Sequence, residues 1–250
     1  MKIITLGTNG WYTTETGETI CTLLETEEYY VVLDSGNAIR KLDRHVKDFT
    51  KPLILLLSHL HLDHIHGVHI LSKFHFDQGM TVYAQKKAVK LLKRLIDHPF
   101  TVPPDELPMK VVIRELLPGK SSIPFPVTVL PLDHPDPCIG FRMELDDKII
   151  VYCTDTGDCE NLRKLAERAD VLITECSWLP GFVNSSWPHL NPETAAKIAS
   201  EVGVKKLVLT HFGTEEYPTI ERRKNAEGVA KQLFVETVAA VDDMVIPVNS

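Results

Sequence analysis

The chain has 250 residues, 44% hydrophobic and 24% charged, the balance of a soluble globular protein long enough to build a core without staples. Its formal charge of −7 gives nucleic acid no general electrostatic footing, although a local basic patch is still allowed. The longest apolar run, Leu53–Leu57, is far too short for a membrane span.

The opening residues pass straight into a strand-like segment, Lys2–Leu6, without the charged start and long apolar stretch of a signal peptide. A polar loop from Gly7 to Gly17 follows. Thr19–Glu25 and Tyr29–Leu33 then read as a hairpin across a short acidic turn. Asn37–Val46 has helical spacing. Leu53–Leu57 has the unbroken apolar character of a strand buried on both faces. A helix is expected over Ile65–Phe74, a short strand at Val82–Ala84, and an amphipathic helix over Lys86–Ile96, stopped by Pro99. Beyond the loop Pro103–Pro108 come strands at Lys110–Leu116, Val127–Leu132, Ile139–Leu145 and Lys148–Cys153, then a helix at Asn161–Ala169. Strand Val171–Thr174, a loop rich in Trp, Pro and Ser, helix Pro192–Val202, strand Leu207–Thr210, a helix around Ile220–Phe234 and strand Met244–Val248 complete the chain. Two sheets packed face to face, with helices outside, would bury all these patterns. No repeat, linker or composition break divides the sequence, so residues 1–250 are expected to form one domain. The five cysteines, Cys21, Cys138, Cys153, Cys159 and Cys176, are odd in number and make no C-x-x-C pair, which suits reduced thiols in the cytoplasm.

The strongest chemical signal is Ser58-His59-Leu60-His61-Leu62-Asp63-His64, which begins where the buried strand ends. His59 and His61 are two apart, so in an extended loop both face one way. Packing offers no reason for four metal-capable side chains in six residues. Imidazole nitrogen and carboxylate oxygen suit zinc and its neighbours. One ion cannot readily use all four from so short a segment, whereas two ions about 3.5–4 Å apart can. Three more candidates lie just past apolar strands: His134, Asp155 and His211. Isolated histidines such as His45, His66, His69, His75 and His98 are expected at the surface or in structural roles. Lys86–Arg94 reads as an exposed helix face, with Val89, Leu92 and Ile96 turned inward. Trp178, Phe182 and Trp187 are either lid packing or a wall for an aromatic substrate. Cys153 and Cys176 read as small buried hydrophobes.

His59–His64 resembles the H-x-H-x-D-H motif of the metallo-β-lactamase superfamily, and His134, Asp155 and His211 match its later positions in order and spacing. The resemblance covers nearly the whole chain and implies an α/β fold, the four-layer αββα sandwich. It implies one metal on His59, His61 and His134, another on Asp63, His64 and His211, and Asp155 bridging. Asp34 matches an acid that braces the metal loops. Within the superfamily the chain looks most like the ribonuclease Z branch and its phosphodiesterase relatives. Leu6-Gly7-Thr8, the stretch Ala169–Glu175, His189 ahead of Thr194–Ala199, and Val204–Phe212 carry that likeness. The branch usually has glycine where Leu62 stands. Its long transfer-RNA-gripping arm has no room in 74–108, and its early Pro/Ser/Arg-Asn pattern is not visible between Thr8 and Cys21.

What this implies is a hydrolase with two divalent ions, zinc by default, with manganese or iron(II) accepting the same ligands. The expected substrate is a small or nucleotide-like phosphodiester, attacked by hydroxide that the metals supply. Asp63 would orient the nucleophile or take its proton, His189 would protonate the leaving oxygen, and Glu175 would orient His189 and keep it protonated. Asn191 and Pro192 form a good helix start, which sets His189 just ahead of a helix N-terminus. Two alternatives share the metal pair: a transfer-RNA 3′-end endonuclease, for which a homodimer could lend basic surface, and a lactonase or thioesterase. A redox diiron protein would have glutamate where His61 stands.

Overall fold

The computed structural model describes residues 1–248. The first half lays down β1 (Lys2–Gly7), β2 (Cys21–Glu25), β3 (Tyr30–Leu33), β4 (Leu53–Leu56), β5 (Met80–Gln85) and β6 (Val111–Leu116). The second half lays down β7 (Gly119–Ser122), β8 (Pro126–Pro131), β9 (Ile139–Leu145), β10 (Lys148–Cys153), β11 (Val171–Cys176), β12 (Lys206–Phe212) and β13 (Thr237–Ala239). The last strand, β14 (Met244–Pro247), returns to the first sheet, whose order is β14-β1-β2-β3-β4-β5-β6. The second sheet runs β13-β12-β11-β10-β9-β8-β7. Four longer helices cover the outer faces: α1 (Lys86–Leu95), α2 (Glu160–Ala166), α3 (Pro192–Glu201) and α4 (Ile220–Lys231).

The pleat explains the layering, because successive residues of a strand point to opposite faces. Leu53 and Leu55 of β4 enter an apolar cluster with Ala88, Val89 and Leu92 of α1. Ile54 and Leu56 point the other way, into the core between the sheets, with Phe141, Ile150 and Val208. Across the molecule, Leu172, Leu207 and Leu209 join Ala195, Ala196 and Ala226 of the helices in a third cluster. Three apolar layers between four structural layers give the expected αββα sandwich.

β4 lies between β3 and β5 in parallel pairing and is buried along its length, as its unbroken apolar run requires. The strand read as Val82–Ala84 is longer, because β5 pairs with β4 and β6 from Met80 onward. The helix expected over Ile65–Phe74 is a single α-turn, Leu62–Ile65, followed by a 3-10 stretch, His66–Lys73, in which Ile70 leaves helical geometry. Asn37–Val46 likewise divides into a 3-10 turn, Asn37–Lys41, and an α-turn, Leu42–His45. All five cysteines are unpaired. Among the described residues no helix is long and apolar enough to cross a membrane.

The two chain ends meet. β14 pairs antiparallel with β1, and Asp242 accepts from Thr8 Oγ1, from the Glu18 amide and from the buried Lys41 Nζ. Arg223 of α4 lies fully buried behind the same loop. It donates to Thr8 Oγ1 at 2.7 Å and to Asn9 Oδ1, over the face of the Phe212 ring.

Candidate metal centre

Each candidate side chain is set by the end of a strand. Asp34 follows β3, His59–His64 follows β4, His134 follows β8, Asp155 follows β10, and His211 lies in the last residues of β12. Asp34, Asp155 and His211 have φ of 57°, 51° and 49°, in the left-handed region that non-glycine residues seldom enter. That conformation turns each side chain off its strand and toward the same rim. At His211 a bulge does the turning. Glu175 pairs with Thr210 and Cys176 with Phe212, so His211 is the extra residue.

His59, His61, His134 and Asp155 form one group, and Asp63, His64 and His211 a second, each with possible ligand atoms within 4.8 Å of one another. Asp155 joins the two. Its Oδ2 lies 3.6 Å from His59 Nε2, while its Oδ1 lies 3.3 Å from His64 Nε2 and 3.1 Å from His211 Nε2. Asp63 Oδ2 is 3.5 Å from His64 Nε2 and 3.3 Å from His211 Nε2, and the two histidine nitrogens are 3.1 Å apart. Tetrahedral bonds of roughly 2.0–2.1 Å place neighbouring ligand atoms about 3.3 Å apart. The spacing therefore fits a cation.

The hydrogen bonds behind the cluster support the same fit. His64 Nδ1 donates to Asp34 Oδ2 at 2.7 Å, and His59 Nδ1 lies 3.0 Å from Ser58 Oγ. His134 Nδ1 is 2.9 Å from the Asp136 carbonyl oxygen. His59 Nε2, His134 Nε2 and Asp155 Oδ1 are buried with no hydrogen-bond partner. Leaving three such atoms unsatisfied is costly, and cations held by the two groups would satisfy all three.

Charge is divided unevenly. Burial, then the neighbouring His64, pushes His59 down and keeps it a neutral imidazole. Burial also lowers His134, against its bond to Asp136. His64 and His211 are buried too, but Asp155 and Asp63 outweigh burial and raise both. Burial opposes ionisation of Asp63 and Asp155, yet the facing histidines hold both carboxyls well below the usual range.

A cleft of about 260 Å³ opens over the cluster. All three tryptophans of the chain line it: Trp11, Trp178 and Trp187. Trp178 stacks edge-on to Phe182 and near His189, and Trp187 lies against His134 and His189. Trp178 thus both packs on Phe182 and walls the cleft, whereas Phe182 lies behind it and Trp187 walls the cleft beside His134 and His189. His189 stands across the cluster with Nδ1 2.7 Å from Glu175 Oε1, and the second Glu175 oxygen accepts from the Leu190 amide. Asn191 caps α3 through the Thr194 amide and Pro192 opens the helix.

The remaining histidines lie elsewhere. His66 meets Asn37, His69 meets the His66 carbonyl, His45 meets Asp243, His98 lies near Glu106, and His75 is exposed. Sequence reasoning passed over Asp136, whose carboxylate lies 2.9 Å from His61 Nε2, and Trp11, whose amide donates to Asp63 Oδ2 at 2.8 Å. The position of Asp136 two residues after His134 was the available signal; Trp11 left none. Gly10 was passed over too. A Cβ there would lie 2.5 Å from His211 Cε1. Gly10→Ala should displace the His211 ring, destabilise the fold by about 1–3 kcal/mol and weaken metal binding. Thermal melts with and without added zinc measure this, and unchanged metal stabilisation counts against the close approach.

Fold and site together define a class. The sequence profile of the beta-lactamase superfamily domain matches residues 29–212; the chain belongs to this superfamily and is a metal-dependent hydrolase within it. It is 26% identical to a ribonuclease Z of Bacillus licheniformis, across 97% of each chain. It is 27% identical to the probable metallo-hydrolase YhfI of Bacillus subtilis, across 94% of this chain and 99% of that one. The crystal structure of the short form of human tRNase Z superposes with a TM-score of 0.78 at 23% identity, covering both chains completely.

Proposed function

We propose that this protein is a phosphodiesterase for small phosphodiesters, a single-domain enzyme working with two divalent cations, zinc by preference. The observation that carries the reading is the His189–Glu175 pair, set at 2.7 Å across the cleft from the clustered histidines and carboxylates. His59, His61 and His134 would hold one cation, Asp63, His64 and His211 the other, with Asp155 between them. When bound, such cations polarise a phosphoryl oxygen and make water acidic enough to attack near neutral pH.

The protein's own groups do the rest. Asp63, fixed by the Trp11 amide, accepts a hydrogen bond from the attacking water and orients it. Its low proton affinity favours orientation over full proton abstraction. Burial alone would lower His189, but the Glu175 charge and hydrogen bond prevail and raise it to about 9. His189 is therefore protonated near neutral pH and donates that proton to the leaving oxygen as its bond to phosphorus breaks.

Ribonuclease Z relatives make transfer RNA the second reading. Against it, among the described residues no lysine or arginine lines the cleft, while Glu215 and Glu216 do. RNA binding draws on cationic contacts to successive phosphates. The unpaired cysteines favour a cytoplasmic setting, and the exposed Leu62, Leu91 and Phe100 are compatible with a homodimer.

Hydrolysis of bis(p-nitrophenyl) phosphate tests the reading. Activity should vanish with a chelator and return with zinc or manganese; faster turnover of a thioester or lactone would reject it. Metal uptake should also release protons, because cations replace those that Asp155 and Asp63 favour on His64 and His211. Affinity should fall as pH falls, which calorimetry in buffers of different ionisation enthalpy will register.

A further inference from the structure

We infer that Asp136, in the loop between β8 and β9, is a positioning residue that selects the tautomers of two candidate ligands at once. The inference rests on the metal reading above. The Asp136 carboxylate Oδ2 lies 2.9 Å from His61 Nε2, and the Asp136 carbonyl oxygen lies 2.9 Å from His134 Nδ1. An imidazole that donates from one nitrogen presents a lone pair at the other. Donation from His61 Nε2 leaves Nδ1 as its ligand atom. Donation from His134 Nδ1 leaves Nε2, the atom found buried and without a partner.

The Asp136 amide also lies 3.2 Å from His134 Nδ1, and it would favour the opposite tautomer. The carbonyl contact is shorter. It also leaves an acceptor, not a second proton, beside His59 and His61, whose rings stand 5.0 and 4.9 Å away. The carboxylate contact has no such competitor: among the described residues Asp136 Oδ2 is the only hydrogen-bond partner of His61 Nε2.

The two ligands belong to the same group, with His59 and Asp155. The outer nitrogen of His64 donates to Asp34, and that of His211 lies 3.3 Å from Ser177 Oγ. Loss of the Asp136 carboxylate must therefore act on one metal position and spare the other. The side chain is largely exposed, so it can be removed without opening the core.

The test is zinc titration of chelator-treated protein against a competing dye, for wild type, Asp136→Ala, Asp136→Asn and His61→Ala. Wild type should bind two zinc ions. Asp136→Ala should weaken one of them by about 10–100-fold. Asp136→Asn, whose amide oxygen still accepts from Nε2, should stay within about threefold of wild type. Long-range proton–nitrogen spectra of the same samples, kept in chelator, should show His61 as the Nε2–H tautomer in wild type and Asp136→Asn, and as a mixture in Asp136→Ala. Wild-type zinc binding by Asp136→Ala, with one ion weakened in His61→Ala, overturns the inference and spares the metal reading. Wild-type binding of both ions by His61→Ala overturns both.

Discussion

Replacing His189 by alanine should lower kcat for a phosphodiester with an alkyl leaving group by about 10²–10⁴-fold, the usual range for loss of a general acid. The loss should shrink to a few-fold for a nitrophenolate leaving group, which departs without a proton. Equal losses on both substrates would remove the proton-donor role. The pH profile gives a second check. In the proposed role the imidazolium is the active form, so kcat should fall as pH rises through about 9, where the pair with Glu175 places His189. Glu175→Gln removes the charge that outweighs burial, so the alkaline limb should move below the ordinary histidine value of about 6.5. The same pair bears on stability. Its contribution is fully present below about pH 6.5 and disappears as pH rises through about 9, because the folded state has the higher pKa.

The second large effect belongs to Asp34. This carboxylate is completely buried and accepts four hydrogen bonds: from the Ser58 amide and hydroxyl and from Tyr152, each at 2.8 Å, and from His64 at 2.7 Å. It ties β3, the loop of candidate ligands after β4, and β10 into one unit. Asp34→Ala strands those donors in the core and should cost about 3–5 kcal/mol, as breaking a buried charged network usually does. The positive φ adds roughly 1 kcal/mol against alanine. Urea unfolding in chelator measures the loss without a metal contribution; a change under 1 kcal/mol would show that Asp34 braces nothing.

Much of this was legible because the signals were local. The run Leu53–Leu57 announces a strand with two buried faces, and four metal-capable side chains in the next seven residues announce what its end presents. The positions of His134, Asp155 and His211 followed from apolar strands just ahead of them. What escaped depended on pairing or on single atoms. β7 and β13 are short edge strands with little apolar pattern, and their partners make them strands. Backbone geometry in the 3-10 stretch His66–Lys73 overrides helical spacing. The bulge at His211 exists only once β11 and β12 pair. Asp136 meets His61 through one carboxylate oxygen and His134 through its carbonyl oxygen, and Trp11 meets Asp63 through one amide hydrogen, contacts for which composition carries no mark.

Synthesis order gives the meeting of the two ends a temporal meaning. The loop that offers its amide to Asp63 leaves a ribosome before any candidate ligand, yet the carboxylate that clamps this loop, Asp242, and the strand that flanks β1 leave after all of them. A nascent chain can thus carry every candidate ligand through His211 and still have a loose wall on one side of the cleft. The clamp on that wall therefore forms only after every candidate ligand has been made.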